Sequence, residues 1–106
     1  MSTMVVVRYT TRADAADENQ RLVEDVYAQL AADDPGGLRY GTFRLADGVT
    51  FVHIAVVEGD VNPLPQTSAF VEFQRELGGR CVDPPVAGEA TLVGAYRFLP
   101  GPGEAL

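Results

Sequence analysis

The chain reads as an α+β domain with an antiparallel sheet, in the order strand, helix, strand, strand, helix, strand, and three observations predict it. Asp47-Gly48 is a strong turn signal joining two segments rich in β-branched and aromatic residues. Two amphipathic stretches with helical spacing flank that hairpin. The run from Val49 to Val57 is apolar at nearly every position, so as a strand it must keep both faces from water. Right-handed crossovers place both helices on one side of the sheet. The other side then needs a partner subunit, a ligand, or both.

Each element has its own signal. Met4 to Thr10, with three consecutive valines, reads as the first strand. Asp14 to Glu18 offers an N-cap and an acidic first turn, which suit the positive end of a helix dipole. Leu22, Val23, Val26, Tyr27 and Leu30 then recur at helical spacing to about Ala32, and Asp33-Asp34-Pro35-Gly36-Gly37 stops the helix. The second strand runs from Leu38 to about Leu45 and the third starts near Val49, joined by a two-residue type I′ turn at Asp47-Gly48. Residues 59–66, with Pro63 and Pro65, form an irregular connection. A shorter helix follows, capped by Thr67 or Ser68, with Phe70, Phe73 and Leu77 on its core face and Gly78-Gly79 at its end. Residues 80–89, carrying Pro84-Pro85, read as a loop and Thr91 to Phe98 as the fourth strand. One domain over 1–99 and a frayed tail over 100–106 complete the division.

Composition bounds the function. The chain has 106 residues and is 46% hydrophobic, enough for one domain that buries about 65% of its unfolded surface. The net charge is −7, and all eight basic residues are arginines scattered along the chain, which argues against nucleic acid and anionic membranes as partners. No apolar run approaches the roughly 18 residues of a membrane span, and the start lacks a basic signal-like region. Cys81 is the single cysteine, so no intrachain disulfide forms and a reducing cytoplasmic compartment is expected. One histidine and one cysteine cannot build a zinc site, no calcium-loop spacing is present, and neither metal nor cofactor is expected.

The turn also predicts a register. Arg44 lies opposite Phe51, Thr42 opposite His53, Tyr40 opposite Ala55 and Leu38 opposite Val57, and these residues share one face. The other face holds Gly41, Phe43, Val52, Ile54 and Val56. Being more uniformly apolar, it is the expected seat of the helices, which leaves the His53 face for a partner or cavity.

Several short patterns carry a family resemblance. Val7-Arg8-Tyr9 closes the first strand, Pro35-Gly36 precedes the second, Leu38 and Tyr40 lie within it, Thr50-Phe51-Val52 opens the third, and Phe70 and Phe73 mark the second helix. With this order of elements, the chain from Met4 to Phe98 resembles the antibiotic biosynthesis monooxygenase family of the dimeric α+β barrel superfamily. The resemblance implies a ferredoxin-like βαββαβ subunit whose sheet pairs with that of a second copy, with a pocket at the sheet's open face. It also implies cofactor-independent oxidation of aromatic substrates by dioxygen, haem degradation in a related branch, or no activity. Where many members have Ser-Pro-His-Phe, this chain has Thr67-Ser68-Ala69-Phe70, so that histidine is missing. The haem-degrading branch carries an asparagine on strand one and a tryptophan and histidine in the second helical region, all absent here.

His53 is the candidate catalytic group, because its ordinary pKa suits proton transfer near neutrality. Tyr40, Thr42, Arg44, Phe51 and Tyr9 are the candidate substrate-binding residues: hydroxyls to position a phenol, a guanidinium for a carboxylate or enolate, and aromatic surface for a flat ligand. Each has a structural alternative, namely a core histidine bonded to Thr42, an arginine pairing across a dimer interface, and tyrosines filling that interface. Cys81, beside Arg80, has no catalytic partner pattern. The expected function is a homodimeric small-molecule-binding protein resembling cofactor-independent monooxygenases acting on aromatic or phenolic substrates; the alternative is a non-catalytic binding or structural module with a small or filled cavity.

Overall fold

The computed structural model describes residues 3–98. Four strands and three helices follow in the order β1 (Thr3–Thr11), α1 (Ala16–Asp33), β2 (Leu38–Arg44), β3 (Thr50–Val57), α2 (Ser68–Arg75), α3 (Leu77–Arg80) and β4 (Cys81–Ala90). The sheet order is β2-β3-β1-β4 and every neighbouring pair is antiparallel. This is the expected ferredoxin-like α+β arrangement. The tail read at 100–106 lies outside the described residues.

Local chemistry refines several boundaries. Asp14 does not cap α1; it accepts from Arg12 Nε at 3.0 Å, and the chain enters the helix through a 3₁₀ turn at Ala13–Ala15. At the other end Asp34 takes a left-handed conformation (φ 44°), and its N–H closes on Leu30 O. Thr67 holds the N-cap position of α2, but its hydroxyl donates backward to Pro63 O. The acceptor for the free N–H of Ala69 is instead Gln29 of α1, at 2.8 Å, so one helix caps the other. Gly78-Gly79 does not end that helical region but lies inside α3, which leads directly into β4.

The hairpin keeps the predicted pairing, with Arg44 opposite Phe51, Thr42 opposite His53, Tyr40 opposite Ala55 and Leu38 opposite Val57. Its turn differs. A type I′ turn needs two positive φ angles, and only Gly48 (φ 79°) has one. Leu45 N bonds Thr50 O across a longer connection, held by the Asp47 carboxylate, which accepts from the N–H groups of Val49 and Thr50 and from the Thr50 hydroxyl. Those bonds, the Thr50 hydroxyl foremost, hold Asp47 below the usual carboxylate range.

The last strand falls earlier than the sequence suggests. β4 occupies 81–90 and pairs β1 from Thr11↔Cys81 to Met4↔Ala90, which uses the available edge of β1 and leaves 91–98 without a ladder. The prolines are accommodated by a bulge. Arg8 pairs Val86 and Thr10 pairs Asp83, so Tyr9 alone faces both Pro84 and Pro85.

The helices also cover the opposite face from the one expected. Tyr9, Phe51, Val23, Val26, Leu64, Phe73 and Leu77 form the core, so α1 and α2 lie over the His53 side of the sheet. Met4, Val6, Val52, Ile54 and Val56 are only half-buried on the other side, and Phe43 is 38% exposed. Uniform apolarity misidentifies the core face because the helices bring their own polar partners, Asn19 and Tyr27, to the polar side chains of the sheet.

Candidate functional site

The alternation of β1, β2 and β3 sets Tyr9, Tyr40, Thr42 and His53 on the helix-covered face, where their polar tips meet. The His53 ring is buried between Tyr9, Tyr40 and Phe73, with ring centroids 5.3, 5.8 and 5.5 Å away. Its Nε2 lies 2.8 Å from the Tyr9 hydroxyl; its Nδ1 lies 2.7 Å from the Tyr40 hydroxyl and 3.1 Å from Thr42 Oγ1. Both helices extend this network. Asn19 of α1 donates to the Tyr9 oxygen at 2.8 Å, Arg80 of α3 donates to Asn19 Oδ1 at 3.1 Å, and Tyr27 of α1 meets Thr42 Oγ1 at 2.6 Å.

Burial sets the charge states. Burial strips the His53 ring of water and no carboxylate in the network compensates, so its pKa is pushed down to about 4 and the ring is neutral at pH 7. Desolvation likewise raises Tyr27 to about 12, its bond with Thr42 offsetting part of the rise, and raises Tyr9 and Tyr40 further. The line is therefore a set of neutral donors and acceptors ending in one buried cation, Arg80. That guanidinium has no ion pair among the described residues; it is held by Asn19, by Phe73 O at 2.7 Å, and by the Phe73 ring beneath it.

A cavity of about 200 Å³ lies between the sheet and α2. Val5, Val7 and Ala55 form its sheet wall, while Phe70, Phe73 and Leu77 form its helix wall. Tyr9, Tyr40 and His53 supply polar atoms in an otherwise apolar lining, and Asn62 and Gln74 add amides from more exposed positions. Cavities of about 150 Å³ hold a benzene ring, so a one- or two-ring molecule is the matching size.

The structure brings together His53, Tyr9, Tyr40 and Thr42, although only the first three reach the cavity. Phe51 stacks on Tyr9 at 5.6 Å and does not line it. Arg44 stands apart. It bonds Gln20 at 2.8 Å, pairs with Asp17 at 3.1 Å and lies over Phe51, tying β2 to the start of α1. The position expected for the pocket also changes, from the open face to the space beneath α2. Burial pushes the Cys81 thiol pKa up.

Sequence reading missed Asn19, Arg80, Asn62 and Gln74. Asn19 carried a usable signal: it precedes Val23 by one helical turn and Val26 by two, so it sits on the buried stripe of α1, where an amide needs a partner. Arg80 carried none, because only the close of α3 turns it inward.

No protein-family model matches the chain, and no curated protein is similar to it. Solved structures are similar in fold. Rv0793 from Mycobacterium tuberculosis superposes with a TM-score of 0.69 at 18% identity, over 90% of this chain and 98% of that one. SnoaB, a cofactor-independent oxygenase from Streptomyces nogalater, gives 0.62 at 21% identity, over 89% and 95%. A candidate antibiotic biosynthesis monooxygenase from Nitrosomonas europaea gives 0.70 at 13% identity, over 87% and 90%. The chain thus has the ferredoxin-like subunit fold that its sequence resemblance implied.

Proposed function

We propose that this chain binds a small, flat, mostly apolar molecule with at least one oxygen beneath α2 and, like the cofactor-independent oxygenase that shares its fold, oxidises an aromatic or phenolic substrate with dioxygen. The observation that carries this reading is an apolar cavity walled in part by a buried histidine clamped between two tyrosines. His53 touches such a substrate through Tyr40 rather than as a free base, since both ring nitrogens already have partners. The Tyr40 hydroxyl then donates to the substrate oxygen and steadies its phenolate form, whose proton leaves to solvent and which passes electrons to dioxygen. The apolar walls lower the local polarity and strengthen that interaction.

The open aliphatic face supports a homodimer within the same reading. Half-buried Met4, Val6, Val52, Ile54 and Val56, with exposed Phe43 beside them, offer a contiguous apolar strip of the kind a lone subunit seldom leaves in water. A second copy pairing on this face would leave the cavity beneath α2 in place.

The test is oxidation of 1-naphthol to 1,4-naphthoquinone, in which one oxygen atom enters the ring and the other leaves as water. Oxygen uptake by the wild type should fall about 100- to 1,000-fold in His53→Ala, the range for loss of a preorganised electrostatic contact. One observation favours the non-catalytic alternative: among the described residues, every buried polar side-chain atom already has a partner, so the network is complete without a ligand. That alternative predicts no turnover by the wild type and a less stable His53→Ala, which a thermal melt would show.

A further inference from the structure

The hydrogen-bond line through His53 has a direction, and one end fixes it. Arginine can only donate, so the Asn19 atom facing Arg80 is the carbonyl oxygen Oδ1, and Nδ2 is the atom that faces Tyr9. Asn19 is fully buried and cannot turn over without setting its N–H₂ against the guanidinium. The Tyr9 oxygen therefore accepts from Asn19, and its single proton points at His53 Nε2, 2.8 Å away. Nε2 must accept, which puts the neutral ring's proton on Nδ1. Nδ1–H donates to the Tyr40 oxygen at 2.7 Å, with a longer branch to Thr42 at 3.1 Å, where Tyr27 also bonds at 2.6 Å. Beyond His53 the Tyr40 hydroxyl meets only the Thr42 hydroxyl, which Tyr27 and His53 already engage, and Tyr40 lines the cavity, where its proton finds an unoccupied direction.

We propose that Arg80, acting through Asn19, sets the proton order of the whole line, so that His53 is held as its Nδ1–H tautomer and Tyr40 presents a donating hydroxyl to the cavity, selecting ligands that carry a hydrogen-bond acceptor such as a ketone or quinone carbonyl. The ligand half of this inference rests on the cavity reading above; the proton order does not. Arg80 and Asn19 are positioning residues, since they reach the ligand only through Tyr9, His53 and Tyr40. This role also gives a reason for a buried cation with no ion pair among the described residues: a neutral amide in its place could present either atom to Asn19, whereas a guanidinium presents only donors.

His53 is the only histidine, so the imidazole signals of ¹⁵N-labelled protein at pH 7 need no assignment. Two-bond ¹H–¹⁵N correlation should show Nδ1 protonated and Nε2 unprotonated in the wild type. Asn19→Asp keeps size and the bond to Arg80 but replaces the N–H₂ donor with an acceptor. Tyr9 should then donate toward α1 and His53 should switch to Nε2–H, a change that a merely structural role would not produce. A wild-type ring carrying its proton on Nε2, or averaging between tautomers, overturns the proposal even if the variant fails to fold; so does an unchanged tautomer in a folded Asn19→Asp. For the ligand half, Tyr40→Phe should weaken acetophenone binding about tenfold while leaving ethylbenzene unchanged. Equal effects on both probes overturn the donor role. Failure of both probes to bind the wild type counts against the cavity reading and the ligand half together, and the tautomer still decides the proton order.

Discussion

The two faces of the sheet solve the burial problem in opposite ways. The face beneath the helices carries Tyr9, Tyr40, Thr42 and His53, all bonded to one another or to Asn19 and Tyr27, and it is the dry side. The other carries Met4, Val6, Val52, Ile54 and Val56, an aliphatic strip bordered by Arg8 and Arg39, and it lacks a cover among the described residues. Hydrophobicity thus ranks the wrong face as the core of this subunit. Polar groups in a core cost stability only when unpaired, and here their partners arrive on the helices that bury them.

Neighbouring residues on β3 test this contrast most strongly. Phe51 points into the core and Val52 to the open face. Phe51→Ala should cost about 3–5 kcal/mol in urea unfolding, whereas Val52→Ala in a lone subunit should cost roughly 0.5 kcal/mol. If two copies pair through the open face, the Val52→Ala cost instead grows with protein concentration. Equal, concentration-independent losses at both positions would break the comparison.

Acid should destabilise the covered face through its histidine. The unfolded ring titrates near 6.5 and the folded ring near 4, so between those values the unfolded chain binds the extra proton and stability rises with pH. Acidifying from pH 7 to 4 should therefore remove about 3 kcal/mol, from a shift of about 2.5 units. Because no other histidine titrates in that window, His53→Gln should flatten the profile above the carboxylate range. A profile equally steep in the variant would assign the acid sensitivity elsewhere.

The smallest effect compares one polar contact from each side. Tyr27→Phe removes the hydroxyl that meets Thr42 beneath the helices and should cost about 1 kcal/mol. Arg39→Ala removes a 3.0 Å ion pair with Glu58 that is largely in water and should cost only about 0.3 kcal/mol. Thermal melts of the two variants would sharpen the contrast between buried and solvated polar bonds.

What was legible in the sequence follows from the reach of each signal. Periodicity and turn chemistry are local, and they placed β1, α1, β2, β3 and α2 within a residue or two, together with the register that sets Thr42 opposite His53. β4 was misplaced because Pro84-Pro85 weakens the local strand signal, while the pairing that overrides it comes from β1, more than seventy residues earlier. The site was half legible for a similar reason. His53, Tyr9 and Tyr40 share a face by strand alternation, whereas Arg80 and Asn19 join them only through docking of the helical layer, for which no local pattern exists.

The bulge on β4 also bears on aggregation. β2 and β4 are the outer strands of the sheet, and a long regular edge invites another chain to continue the ladder. At the middle of β4, Pro84 and Pro85 offer no amide hydrogen, and the extra residue there throws the strand out of step. A foreign strand laid along this edge would find its hydrogen-bond ladder interrupted after a few residues on either side, too short a run to template fibre growth.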